Sequence, residues 1–283
     1  MSLTVALVIV VGTMAGFAIF TGLVSRRSPE GSLADKTPTS IYAVTSGAIS
    51  LLIAFTFSIA FSQYTNAQNA THTEAAAILQ MYRAALFMEE PLSRELKQDL
   101  LCYAELVVDQ EWTGLESGQT TADDAAQDTL GAMDRAISSP SGVTKAGAGL
   151  SSWETGNANL ITARQARFAV ANWGVPPLVY ILIILGSLVT IGSLFVYADR
   201  SKPGWGHAIT FIGPVFIFVA GLVVIAFLDN PFVQTPGGVR PTAIQMSIDY
   251  IERDLGSDAR SDDRSCPPES TKKPVTASGI VSP

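Results

Sequence analysis

Three bulky apolar residues, Ile53, Phe57 and Phe61, recur every four positions and so share one face of any helix that holds them. Inside a membrane such a face can form a constriction that stops ions by dewetting. The same spacing also suits contact with lipid or a neighbouring helix. Beside it runs a stripe of small residues, Ser46, Ser50, Ala54, Ser58 and Ser62, again at steps of four. Small residues at this spacing let helix backbones approach closely. Gly12 and Gly16 repeat the arrangement, and Gly186 with Thr190 is a weaker instance. We expect helix contacts within the chain from these stripes, with a seam between subunits as the other use. A wet path along the serines is opposed by the habit of spanning serines to bond back to their own helix.

Arg164 and Arg167 stand three apart on one helix face. They can draw anions toward a pore mouth or pair with carboxylates, for which Glu74, Glu111 and Asp229 are the candidates. A buried arginine needs such a partner. Trp112, after Glu111, reads as a core residue closing a helix end. Cys102, within Leu-Leu-Cys-Tyr, reads as a small buried hydrophobe. A bridge to Cys266 requires an oxidising compartment. His72 and His207 have no partners at metal spacing, so no metal or other cofactor is expected. There is no P-loop, GxSxG or HExxH, and no carboxylate pair in an apolar setting, so the chain is not read as an enzyme.

These residues must be positioned by helices. With 48% hydrophobic but only 15% charged residues, the chain has the composition of a membrane protein. A net charge of −7 argues against a nucleic-acid partner. Four apolar runs lack any Asp, Glu, Lys or Arg: residues 3–24, 41–61, 175–198 and 207–228. Each is long enough to span a bilayer. The first lacks a basic n-region, and Arg26-Arg27 follows it, so it reads as a retained span rather than a signal peptide. Four crossings place both termini on the side of the 62–173 insert. The loops 25–40 and 198–206 hold Arg26, Arg27, Lys36, Arg200 and Lys202, against Arg164, Arg167 and Arg240 near the opposite surface. The positive-inside bias therefore predicts cytoplasmic short loops, with the insert and both termini extracytoplasmic.

The second span continues to about Phe87 without proline, and without glycine after Gly47, which predicts one rod of about 70 Å. Apolar stripes mark further helices: Thr71, Ala75, Ile78, Tyr82 and Leu86; Leu92, Leu96, Leu100, Tyr103 and Val107, ending before Gly114; and Ala126, Leu130, Met133 and Ile137. A Gly/Ser/Pro stretch from Ser138 to Gly149 reads as a loop, and a last helix runs from about Ser152 to Trp173. The expectation is all-α: four transmembrane helices (1–61 and 174–228) with an extramembrane antiparallel helical bundle (62–173) inserted between spans two and three. Residues 229–255 carry an amphipathic helix opened by Pro241, and 256–283 read as a disordered tail.

The chain resembles a family of bacterial membrane proteins labelled bestrophin-like. The matching pieces are Tyr64 and Ala67-Gln68, Glu74-Ala75 to Tyr82-Arg83, Tyr103, Glu111-Trp112, Arg164 with Arg167, Pro176-Pro177-Leu178, and Leu228-Asp229-Asn230-Pro231-Phe232. Coverage runs from about residue 1 to 250. The resemblance implies a four-span helical membrane protein and, more distantly, the pentameric anion channels called bestrophins. These use an Ile and Phe triad on the second span as a pore neck, which matches Ile53, Phe57 and Phe61. They also keep the helical domain in the cytosol, against the charge bias above. The acidic calcium cluster they carry after the fourth span is missing here, where only Asp229 precedes Pro231, so calcium gating does not carry over. The expected function is an oligomeric channel for a small anion in the membrane lipid. The competing expectation is a non-conducting scaffold or envelope sensor whose bundle binds a partner.

Overall fold

From Thr39 to Ala85 nothing in the sequence breaks a helix, and the chain forms one: α1 (Thr39–Ala85), of 47 residues. The computed structural model describes residues 39–117, 124–172, 174–197, 205–233, 236–256 and 266. The first apolar run, with Gly12 and Gly16, and nearly all of the tail expected to be disordered lie outside these residues. After α1 come α2 (Leu92–Leu106), a π-helical turn (Val107–Glu111) and α3 (Trp112–Glu116). Then follow α4 (Asp124–Ser138), α5 (Pro140–Ala146), a 3₁₀ turn (Gly147–Gly149) and α6 (Leu150–Asn172). The last three helices are α7 (Pro177–Tyr197), α8 (Trp205–Leu228) and α9 (Thr242–Leu255). The described residues contain no strand.

Three sequence expectations need correction. The stretch from Ser138 to Gly149 is helical rather than a loop, because Ser139 caps α5 by accepting a bond from Gly142 N at 2.9 Å and Pro140 suits the first helical position. The helix does not stop before Gly114: the wide turn at Val107–Glu111 carries the chain on through Glu116. Leu86 leaves the stripe of α1, since the helix ends at Ala85 and Leu86 is exposed.

The chain divides into two compact units, with boundaries inside helices α1 and α6 and between Val239 and Arg240. Unit 1 comprises Met1–Asn69 and Ala169–Val239. Its core is apolar: Ala60, Val175, Ile225 and Leu228 are buried, with Ile53, Tyr64, Val179, Tyr180 and Phe227 packed against them. A Cβ at Gly186 would meet Ile49 Cδ1, so α7 and α1 pack closely here and a side chain at this position would have to displace Ile49. The segment Ser46–Ala85 is long and apolar enough to cross a bilayer. Helices α7 and α8 hold 21 and 24 residues.

Unit 2 comprises Ala70–Phe168 and Arg240–Pro283. Ile78, Met81, Leu96, Leu100, Met133 and Leu160 are fully buried there. Gly156 lets α6 close on α1, since a Cβ would stand 2.7 Å from Met81 Cγ. The amphipathic α9 buries Ile244, Ser247 and Ile251, and Ser247 Oγ donates to Ala75 O at 3.2 Å.

Candidate functional site

Two places collect the residues singled out in the sequence, one in each unit. In unit 2, α6 projects Arg164 and Arg167 from one face, one helical step of three apart, into the interior. Arg167 is fully buried and forks onto Glu74 of α1, donating through Nε to Oε2 at 2.8 Å and through Nη2 to Oε1 at 3.1 Å. Its Nη2 also donates to Glu111 Oε2 at 2.6 Å. Arg164 donates through Nε to Glu111 Oε1 at 3.1 Å, bonds the same oxygen through Nη2, and donates through Nη1 to Gln127 Oε1 at 2.5 Å. Tyr103 OH donates to Glu74 Oε1 at 2.8 Å.

Two cations and two anions thus balance in one enclosed lattice. Buried charge is tolerable only when paired and hydrogen-bonded in this way. The π turn contributes, because one extra residue in a turn rotates the downstream residues by about 100° and so sets Glu111 and Trp112 toward α6. Aromatic faces complete the enclosure: Arg167 lies 4.9 Å from the Phe168 ring centre and 5.6 Å from that of Trp112. Burial works against the charge of Arg167, but Glu74 and Glu111 outweigh it and hold the guanidinium above its ordinary range. Burial, then the two glutamates, pushes the Tyr103 hydroxyl well up, so it stays a neutral donor.

In unit 1 the apolar triad divides. Ile53 leans inward, its Cγ2 3.3 Å from where a Cβ on Gly221 would stand, and packs against the Ala60–Ile225 core. Phe57 and Phe61 face out, 41% and 50% exposed, their rings stacked with centres 6.2 Å apart and planes at 13°. The small stripe also faces out. Ser50, Ala54 and Ser58 are exposed and Ser46 is half-buried. The intrachain face of α1 is made instead by Ile49, Ile53, Thr56 and Ala60, because bulkier side chains fill the space beside Gly186 and Gly221. Asp229, offered as a partner for the arginines, works within unit 1. Its Oδ1 accepts from Val175 N at 2.6 Å and its Oδ2 from Tyr180 OH at 3.0 Å. Pro176 and Pro177 have no N–H, so Val175 supplies the donor ahead of α7, and an acid there also complements the helix dipole.

The sequence model of the bestrophin-like domain matches residues 7–235. The chain belongs to the bestrophin-like family. Among solved structures, a variant of the bacterial bestrophin homologue from Klebsiella pneumoniae is similar with TM-score 0.69 and 14% identity, over 88% of this chain and 96% of that one. A second variant of that homologue gives TM-score 0.63 and 14% identity, over 88% and 97%. A structure described only as a membrane protein gives 0.62 and 15%, over 90% and 97%. At such identities the likeness is one of fold: the protein is all-helical and folds like bestrophins. A search of curated proteins finds no match.

Sequence reasoning missed several members of these bestrophin-like sites. Gln127 and Phe168 carried no signal beyond lying near helical stripes. Tyr64, flagged only as part of a motif, donates through OH to Gly237 O at 2.7 Å and so closes the loop after α8. Cys102 is not a free hydrophobe: it is joined by a disulfide to Cys266, with Cα atoms 5.4 Å apart. Among the described residues no group of three His, Cys, Asp or Glu could hold a metal.

Proposed function

We propose that this bestrophin-like protein is an oligomeric, non-enzymatic channel with four membrane spans, passing a small anion through an apolar neck built on α1. The observation that carries this reading is the exposed, stacked pair Phe57 and Phe61. A soluble unit would bury two such rings, and here they face away from their own unit. With Ile53 behind them, they present the bulky surface a dewetting constriction requires. The exposed stripe Ser50, Ala54 and Ser58 beside them gives a second copy a face on which to close.

In this reading residues 3–24, 41–61, 175–198 and 207–228 are the spans, and 62–173 is an extramembrane bundle. The lattice of Glu74, Glu111, Arg164 and Arg167 keeps that bundle rigid; being internally neutral, it is a structural device rather than an anion lure. The short basic loops are cytoplasmic and the bundle extracytoplasmic, a placement that the Cys102–Cys266 disulfide favours, since such bonds persist in oxidising compartments.

Liposomes containing the purified protein should release trapped chloride, and native mass spectrometry should show an oligomer larger than a dimer. A monomer or dimer, unable to enclose a neck, would contradict the reading. A Thr120→Cys variant on a Cys102→Ser/Cys266→Ser background should react with impermeant maleimide on intact cells; labelling only after lysis would reverse the orientation.

A further inference from the structure

The disulfide ties together two segments that are 164 residues apart in sequence, α2 through Cys102 and the segment after α9 through Cys266. Helix α9 lies against α2 and bonds to α1. It buries Ile244, Ser247 and Ile251, Tyr82 OH donates to Asp254 Oδ2 at 2.5 Å, and Tyr82 meets Tyr250 edge-on at 6.2 Å. Its C-terminal end is opposed by like charge. Glu105 of α2 is held above the usual carboxylate range by burial and then by Glu252 of α9 and Asp109. Cys266 comes down beside this acidic group, its Sγ 3.3 Å from Glu105 Oε2. The covalent bond therefore joins the chain to α2 beside this like-charged group.

We propose that Cys102–Cys266 is a thiol-oxidation site that staples the C-terminal helix α9 to the bundle. Forming it converts two thiols to one S–S bond with loss of two protons and two electrons. These pass to a disulfide-bearing oxidant, a dithiol oxidoreductase or a small disulfide, which leaves as the dithiol. A thiol reductant reverses the exchange and frees α9 to leave its groove, exposing Ile244, Ile251 and Tyr82. The oxidant's presence in cells rests on the extracytoplasmic placement proposed above; the mechanical effect of the bond does not.

The test is hydrogen exchange, read by mass spectrometry, on the full chain in nanodiscs, after diamide oxidation and after phosphine reduction. Amides of residues 242–255 should exchange roughly tenfold or more faster once reduced, because the tether's effective concentration is lost, while residues 92–106 stay unchanged. The Cys266→Ser and Cys102→Ser variants should match the reduced protein and ignore reductant. Equal rates in both redox states, or thiols that diamide cannot join, would overturn the proposal. Thiols found free on isolation but joined by diamide, with the exchange response intact, would leave the staple standing and sink only the extracytoplasmic placement.

Discussion

Unit 2 buries Glu74, Glu111, Arg164 and Arg167, whereas the described residues of unit 1 bury no charged side chain at all. Unit 1 instead turns large hydrophobics outward: Leu51, Phe55, Leu178, Leu185, Leu188 and Val189 are all exposed. Two of its threonines bond back to their own helices, Thr56 to Leu52 O at 2.8 Å and Thr190 to Gly186 O at 2.8 Å. Unit 2 has the pattern of a protein in water, polar outside and with its buried charges paired, although Arg167 Nη1 makes no hydrogen bond. Unit 1 has the inverse, as expected where the surrounding medium is hydrocarbon and backbone groups must be satisfied within helices. The same helix, α1, meets both conditions, with its composition changing near Ser62-Gln63.

The contrast can be broken most forcefully at the lattice. Arg167→Ala leaves Glu74 and Glu111 buried without their shared cation and should cost about 3–5 kcal/mol, enough to remove most folded protein on thermal denaturation. Replacing Arg167 by Met together with Glu74→Gln should recover part of that loss, because the uncompensated charge is then smaller. An intermediate effect is expected where unit 1 is most crowded. Gly186→Val drives a side chain into Ile49 and should cost about 1–3 kcal/mol, read as a lower melting temperature in detergent.

Asp229→Asn keeps the shape of the clip but weakens its bonds to Val175 N and Tyr180 OH, for a loss of about 1 kcal/mol. Smallest is Leu185→Ala on the exposed face of α7, which should stay within about 0.5 kcal/mol. Unit 2 offers the matched control: Leu100→Ala, in its core, should cost about 2–5 kcal/mol. Equal losses at Leu185 and Leu100 would mean that the two units share one solvent.

Much of the helical layout was legible because strong local signals agree. Pro241 opens α9, Leu228-Asp229-Asn230-Pro231 ends α8, and α1 runs through a stretch with no proline. Other features escaped because two local signals compete. Gly142, Gly147 and Gly149 suggested a loop, and the Ser139-Pro140 start outweighed them. Pairing was less legible than helix formation. Spacing puts Arg164 and Arg167 on one face, but only folding decides that they take Glu74 and Glu111 and leave Asp229 to α7. The small stripe was legible as a face, but not which surface it addresses, since close approach within a chain and between chains needs the same residues.

The central claim is that the outward rings of α1 form a constriction. Single-channel recording in planar bilayers tests it directly, comparing the unaltered protein with Phe57→Ala and Phe61→Ala. The account predicts anion-selective openings whose closed time shortens sharply in either variant, as a narrow apolar barrier gives way to a wettable one. Silent bilayers from a verified intact oligomer, or openings untouched by both substitutions, would contradict it.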